Sequence, residues 1–269
     1  MTTLNAMKRI GVSPLSAVAC ALLLGLGAVS GVRADGIKLD EPLDALTAAA
    51  KKDANAQYKL AIYNLYGVGM VTNEKEAVTL LKKAAGSGHA EAQHLLGFCY
   101  AVGDGMSKAD EKEAFKWYQK AADQGNLQAE FKVAFCYERG LGVTKNDAEA
   151  MKWYKKSADH GTAEAQFAVG RFYYSGQGTA QDYNEAAKWY LKAANAGHKG
   201  AQYAMGTCSM VGQGVPRDYV ESYKWFGLAA EAGDEEALKR RDLVVTSYRL
   251  TPEQVADANS RIQNFKPAK

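Results

Sequence analysis

The sequence predicts an all-α fold of five tandem helix-turn-helix units, each about 36 residues long and stacked on the next into a solenoid. Three observations carry this reading. Trp117, Trp153, Trp189 and Trp225 recur every 36 residues, and each is followed by a second ring: Tyr118, Tyr154, Tyr190 and Phe226. Single glycines at Gly88, Gly125, Gly161, Gly197 and Gly233 keep the same beat, with one interval of 37. Paired glycines do so as well: Gly67 and Gly69, Gly103 and Gly105, Gly140 and Gly142, Gly176 and Gly178, Gly212 and Gly214.

The elements follow in chain order. Residues 1–34 carry Lys8 and Arg9 ahead of an uncharged stretch, Ala17 to Val29, which is short for a membrane span. This is the layout of a secretory signal peptide. Val32 and Ala34 point to cleavage before Asp35, with Ala28 and Ser30 offering an earlier site of the same spacing. The expected location is periplasmic or secreted, without membrane insertion after cleavage. Losing this segment removes Lys8, Arg9 and Arg33 and no acid, so the formal charge falls from +3 to zero. A neutral chain with interspersed charges argues against nucleic acid as a partner.

Residues 35–53 read as an N-terminal half-repeat cap, in which Leu43 to Lys51 is a lone second helix with Ala48 and Ala49 matching Ala84 and Ala85. Residues 54–233 hold the five repeats. In one of them, Ala92, Leu95, Leu96, Cys99 and Tyr100 have the three-and-four spacing of an amphipathic first helix, and Ala114, Trp117, Tyr118, Ala121 and Ala122 that of a second. Glycine, which accepts positive φ, ends each helix. The spacing of Gly105 and Trp117 places one extra residue between Met106 and Ala114, in loop or first helical turn. Small residues at Gly97, Ala134, Gly170 and Gly206 are expected to receive the Trp as hole and knob. Residues 234–269 read as a helical C-terminal cap, with a capping box at Thr251-Pro252-Glu253-Gln254.

Ala-Glu-Ala-Gln-x-x-x-Gly at 163–170, the Gly-Gln-Gly turn at 176–178, and Ala-Ala-Lys-Trp-Tyr-Leu-Lys-Ala-Ala at 186–194 together resemble the Sel-one-like repeat, a longer-loop relative of the tetratricopeptide repeat. The resemblance spans nearly all of residues 54–233. It implies a right-handed α-solenoid that serves as an adaptor, assembly factor or regulator. A cysteine-rich branch of that family, with cysteines paired inside each repeat, is linked to β-lactam binding and hydrolysis. This sequence lacks the paired cysteines. Cys99, Cys136 and Cys208 share one repeat position, as small buried side chains in a helix interface do.

Catalytic signatures are missing from the mature chain: neither Ser-x-x-Lys nor Gly-x-Ser-x-Gly occurs there. His89, His94, His160 and His198 lack metal-ligand spacing, so no cofactor or metal is expected and the chain reads as a non-enzyme. His89 and His198 share a turn position and read as solvated. The recurrent Trp and Tyr read as core.

First-helix positions that vary between units are the candidate partner-binding set. Aligned on the glycine at 97, they form one face: Tyr58, Ile62 and Leu65; His94, Phe98 and Ala101; Phe131, Phe135 and Glu138; Phe167, Arg171 and Tyr174; Tyr203, Thr207 and Met210. Rings beside Arg and Glu suit the capture of a polypeptide segment, so the expectation is a protein-interaction scaffold with a protein partner. The alternatives are a peptidoglycan or other glycan binder using the Trp and Tyr rings, and a β-lactamase-like hydrolase.

Overall fold

A computed structural model describes residues 41–268. The expected signal peptide, 1–34, and the first part of the expected N-terminal cap lie outside the described residues. Among those described there are thirteen α-helices and no strands. They are α1 (Leu43–Ala49), α2 (Ala54–Tyr66), α3 (Glu74–Gly86), α4 (Ala90–Val102), α5 (Glu111–Asp123), α6 (Leu127–Arg139), α7 (Asp147–Asp159), α8 (Ala163–Ser175), α9 (Tyr183–Asn195), α10 (Lys199–Val211), α11 (Tyr219–Glu231), α12 (Glu235–Tyr248) and α13 (Pro252–Gln263).

The chain divides into two compact units, one ending at Lys145 and the other starting at Asn146. In the first, α1 to α6 pack in chain order, each on the next. In the second, α7 to α12 do the same, and α13 returns to pack on α11.

Local chemistry sets the helix limits. Asp110, Asp182 and Asp218 each accept backbone N–H groups in the first turn of a second helix, and Asn73 and Asn146 do the same with one bond each. First helices end on a left-handed glycine, as at Gly103 and Gly176. The extra residue falls in the loop between Gly103 and the Asp110 cap, so both neighbouring helices keep their register.

The second glycine of the last four pairs has a different purpose, whereas the space around Gly69 is open. A Cβ built on Gly105 would lie 2.5 Å from the carbonyl oxygen of Glu74, the first residue of the preceding second helix. Gly142, Gly178 and Gly214 would strike Glu111, Asp147 and Tyr183 in the same way. The turn therefore rests directly on the N-terminus of the previous unit's second helix, and only a residue without a side chain fits.

In three repeats the knob is the ring after the Trp. A Cβ on Gly97 would meet the Tyr118 ring at 2.7 Å, one on Gly170 the Tyr190 ring at 2.5 Å, and one on Gly206 the Phe226 ring at 2.7 Å. Tyr118, Tyr154, Tyr190 and Phe226 are buried, whereas Trp117, Trp153 and Trp189 stay half-buried. This corrects the expectation that the Trp fills the hole. Successive helical residues point about 100° apart, so only one of two adjacent rings can enter the hole.

A buried glutamine links four of the five first helices to the second helix before it. Nε2 of Gln57, Gln93, Gln166 and Gln202 donates to the carbonyl oxygens of Ala50, Ala85, Ala158 and Ala194. Ala50, and not Ala49, is thus the counterpart of Ala85; Ala48 and Ala49 are exposed. Cys99, Cys136 and Cys208 are free and buried, and burial pushes their thiols up to about 12, 11 and 11 respectively. At neutral pH they act as small apolar side chains.

Candidate functional site

The variable first-helix face is partly wall and partly surface. Ile62 and Glu138 are buried, at 2% and 7% exposure, which removes them from the set available to a partner. An aliphatic side chain gains by burial, and a buried carboxylate persists where the interior partners it. Leu65 is buried too. Tyr58, His94, Phe98, Phe131, Phe167, Arg171, Tyr174, Tyr203 and Met210 are half-buried.

Several of these rings are held by neighbours in their own unit. Tyr58 lies against His89 at 4.8 Å between ring centroids, and His94 against Tyr118 at 5.8 Å. Phe167 stacks on His198 at 4.6 Å and touches Tyr190. Tyr203 meets Phe226 edge-on at 5.3 Å. The Tyr174 hydroxyl donates to Gln213 Oε1 at 2.9 Å. Met210 packs at the rim of the second unit's core, and Phe98 at that of the first.

The accessible part is concentrated on α6. Leu127, Phe131 and Phe135 are spaced by four residues on one helical face, with Leu127 38% and Phe135 36% exposed. The Arg139 guanidinium sits 5.7 Å from the Phe135 ring, and that of Arg171 6.0 Å from Phe167. Cation and ring together give a surface suited to an apolar segment with acidic flanks.

The histidines differ from the sequence reading. His89 and His198 are N-caps: each accepts through Nδ1 from a backbone N–H, Ala92 at 3.3 Å and Ala201 at 3.1 Å. Each ring also packs against the aromatic of the first helix before it, His89 tilted against Tyr58 and His198 stacked on Phe167. They are structural staples and not solvated turn residues. Burial lowers the pKa of His198. His94 has a buried Nε2 with no hydrogen-bond partner, and burial, with Lys132 adding to it, pulls its pKa to about 4.

Trp117 in the first unit, and Trp153 and Trp189 in the second, are half-buried, where sequence reasoning assigned them to the core. A lysine Nζ lies over each: Lys120 at 3.9 Å from Trp117, Lys156 at 4.8 Å from Trp153 and Lys192 at 4.0 Å from Trp189. The recurring Lys three residues after the Trp was the signal for it. Among the described residues, no group of three or more His, Cys, Asp or Glu could hold a metal ion. No helix there is long and apolar enough to cross a membrane.

The comparisons with known proteins agree with this architecture. A solved Sel1 repeat protein from Oxalobacter formigenes is 32% identical, with a TM-score of 0.67 over 75% of this chain and 58% of its own. The protective antigen c5321 of uropathogenic Escherichia coli, which displays an SLR fold, is 26% identical, with a TM-score of 0.54 over 93% of this chain and 60% of its own. The chain thus spans less than two thirds of the length of either. No curated protein matches the sequence. The Sel1 repeat matches residues 54–89, 90–126, 127–162, 163–198 and 200–234, one match for each structural unit. With all five units accounted for in this way, the chain belongs to the Sel1 repeat family, whose members are in general protein-interaction scaffolds.

Proposed function

We propose that the mature chain is an exported, non-catalytic adaptor that holds a partner polypeptide on its variable first-helix face. The observation that carries this reading is the α6 stripe: Leu127 and Phe135 are exposed apolar side chains at helical spacing, with Arg139 beside them, on a helix whose packing positions are otherwise filled by repeat residues. Family membership supports the scaffold role. Export rests on the arrangement of Lys8, Arg9 and the uncharged stretch up to Val29.

The test compares capture of partners from envelope extract by the wild type and by a Leu127→Ser, Phe135→Ser variant. Both substitutions fall on exposed positions, so helical circular dichroism should be unchanged while the captured partner is lost. Full retention of that partner by the folded variant would remove the proposal. N-terminal sequencing of protein recovered from the expressing cells tests export, and an N-terminus still at Met1 counts against it.

The lysines over Trp117, Trp153 and Trp189 occupy faces on which a sugar would stack, which speaks against a glycan platform. Sedimentation with peptidoglycan separates that reading, and a chromogenic β-lactam separates the hydrolase. Both assays are expected to give background values.

A further inference from the structure

The last few described residues show how the outer face of a second helix can be covered. After α13 the chain runs back across the second unit. Phe265 packs edge-on against Trp225, with centroids 6.2 Å apart. Pro267 covers Gly197, lying 3.6 Å from where a Cβ on that glycine would be, and the Ala268 N–H donates to the carbonyl oxygen of Asn195 at 2.8 Å. The seat thus has three parts: a Trp, the turn glycine one repeat earlier, and a carbonyl at the end of that earlier second helix. Trp225, on a helix that also packs against α12 and α13, is 3% exposed, while the three other tryptophans are half-buried.

The same three parts recur one repeat earlier in Trp189, Gly161 and Asp159, and in the first unit in Trp117, Gly88 and Gly86. Around Gly161 and Gly88 there is open space where Pro267 covers Gly197. One residue differs: the position three after the Trp is Leu228, buried, beside the tail, but Lys192 and Lys120 in the open seats.

We propose that the Trp189 and Trp117 seats are docking sites for an extended polypeptide segment of the pattern aromatic-x-Pro carrying acidic residues. The ring packs against the Trp edge as Phe265 does, the proline covers the glycine, and the backbone N–H beyond it pairs with the helix-end carbonyl. The acidic residues meet Lys192 or Lys120. A second copy's own tail is a poor occupant, because Lys266 and Lys269 would bring positive charge to those lysines. These seats lie on second helices, away from the first-helix face.

The experiment uses the full mature chain and two capped peptides: Asn-Phe-Glu-Pro-Ala-Glu, and the tail's own Asn-Phe-Lys-Pro-Ala-Lys. The readout is the four tryptophan indole N–H resonances, assigned by single Trp→Phe variants. At about 1 mM the acidic peptide is expected to shift the indoles of Trp189 and Trp117 and to leave Trp225 in place, while the basic peptide shifts none. Lys192→Glu, an exposed substitution that keeps the fold, should weaken the Trp189 response about tenfold and spare that of Trp117. In Phe265→Ala, the vacated Trp225 seat should accept either peptide. No indole shift with the acidic peptide, equal shifts with both peptides, or a Trp189 response unaffected by Lys192→Glu would each overturn the proposal. Leu127→Ser, Phe135→Ser leaves these responses unchanged, so this test and that of the first-helix face fail independently.

Discussion

Glu130 is the residue at which one repeat departs from its sisters. It stands where Gln57, Gln93, Gln166 and Gln202 donate an amide hydrogen to a buried carbonyl, and its side chain is fully buried. His94 makes a pH prediction. Its folded pKa of about 4 lies below the usual histidine value, so between the two the unfolded chain binds the extra proton. Stability should fall as pH drops from about 6.5 to about 4, by up to about 3 kcal/mol from this residue. Four sister repeats place an aromatic ring at that position, so His94→Phe should flatten the decline, and urea unfolding at pH 7 and pH 4.5 measures it. An unchanged slope in the variant would count against a neutral buried His94. The histidine caps were not legible in the sequence, because a turn histidine is compatible with solvent as well as with an N-cap. Nothing local distinguishes a ring that stacks from one that does not.

At the level of helices and turns, the sequence was most informative where packing imposes the same demand in every unit. The period, the glycine turns and the inserted residue before Asp110 were legible for that reason. The direction of the Trp was not: Trp and the ring after it both lie within a broad apolar arc, and only the close approach of Gly97, Gly170 and Gly206 decides which ring fills the hole. The two kinds of glycine predict different costs. Gly178→Ala meets both a positive φ and the Asp147 carbonyl, so it should destabilise by more than about 2 kcal/mol. Gly161→Ala meets the positive φ alone, with open space around it, and should cost about 1 kcal/mol. Thermal unfolding of the pair checks the order, and equal costs would mean that the turn does not rest on α7.

For the whole molecule, the division is between residues that repeat and residues that vary. Trp-ring pairs, alanines, glycines and the buried glutamines recur because each unit must bury its face on the next. Of the twelve first-helix residues expected to bind a partner, Ile62 and Glu138 turned out to be interior, and most of the rings are braced by a neighbour. Periodicity assigns them to the same positions of successive first helices but carries no information on how far each side chain is exposed. The tail from Asn264 to Ala268 was invisible in the sequence for a related reason: it belongs to no repeat, and its seat is defined by residues of two different ones.

In the proposed function, the variable first-helix face contacts the partner. The direct test places a photo-crosslinking amino acid at Phe135 or Arg171 and, as a control, at the exposed Lys239 of α12, followed by irradiation in the expressing cells. The same partner should crosslink from Phe135 and Arg171 and not from Lys239. A partner that crosslinks from Lys239 but from neither first-helix position would contradict the account.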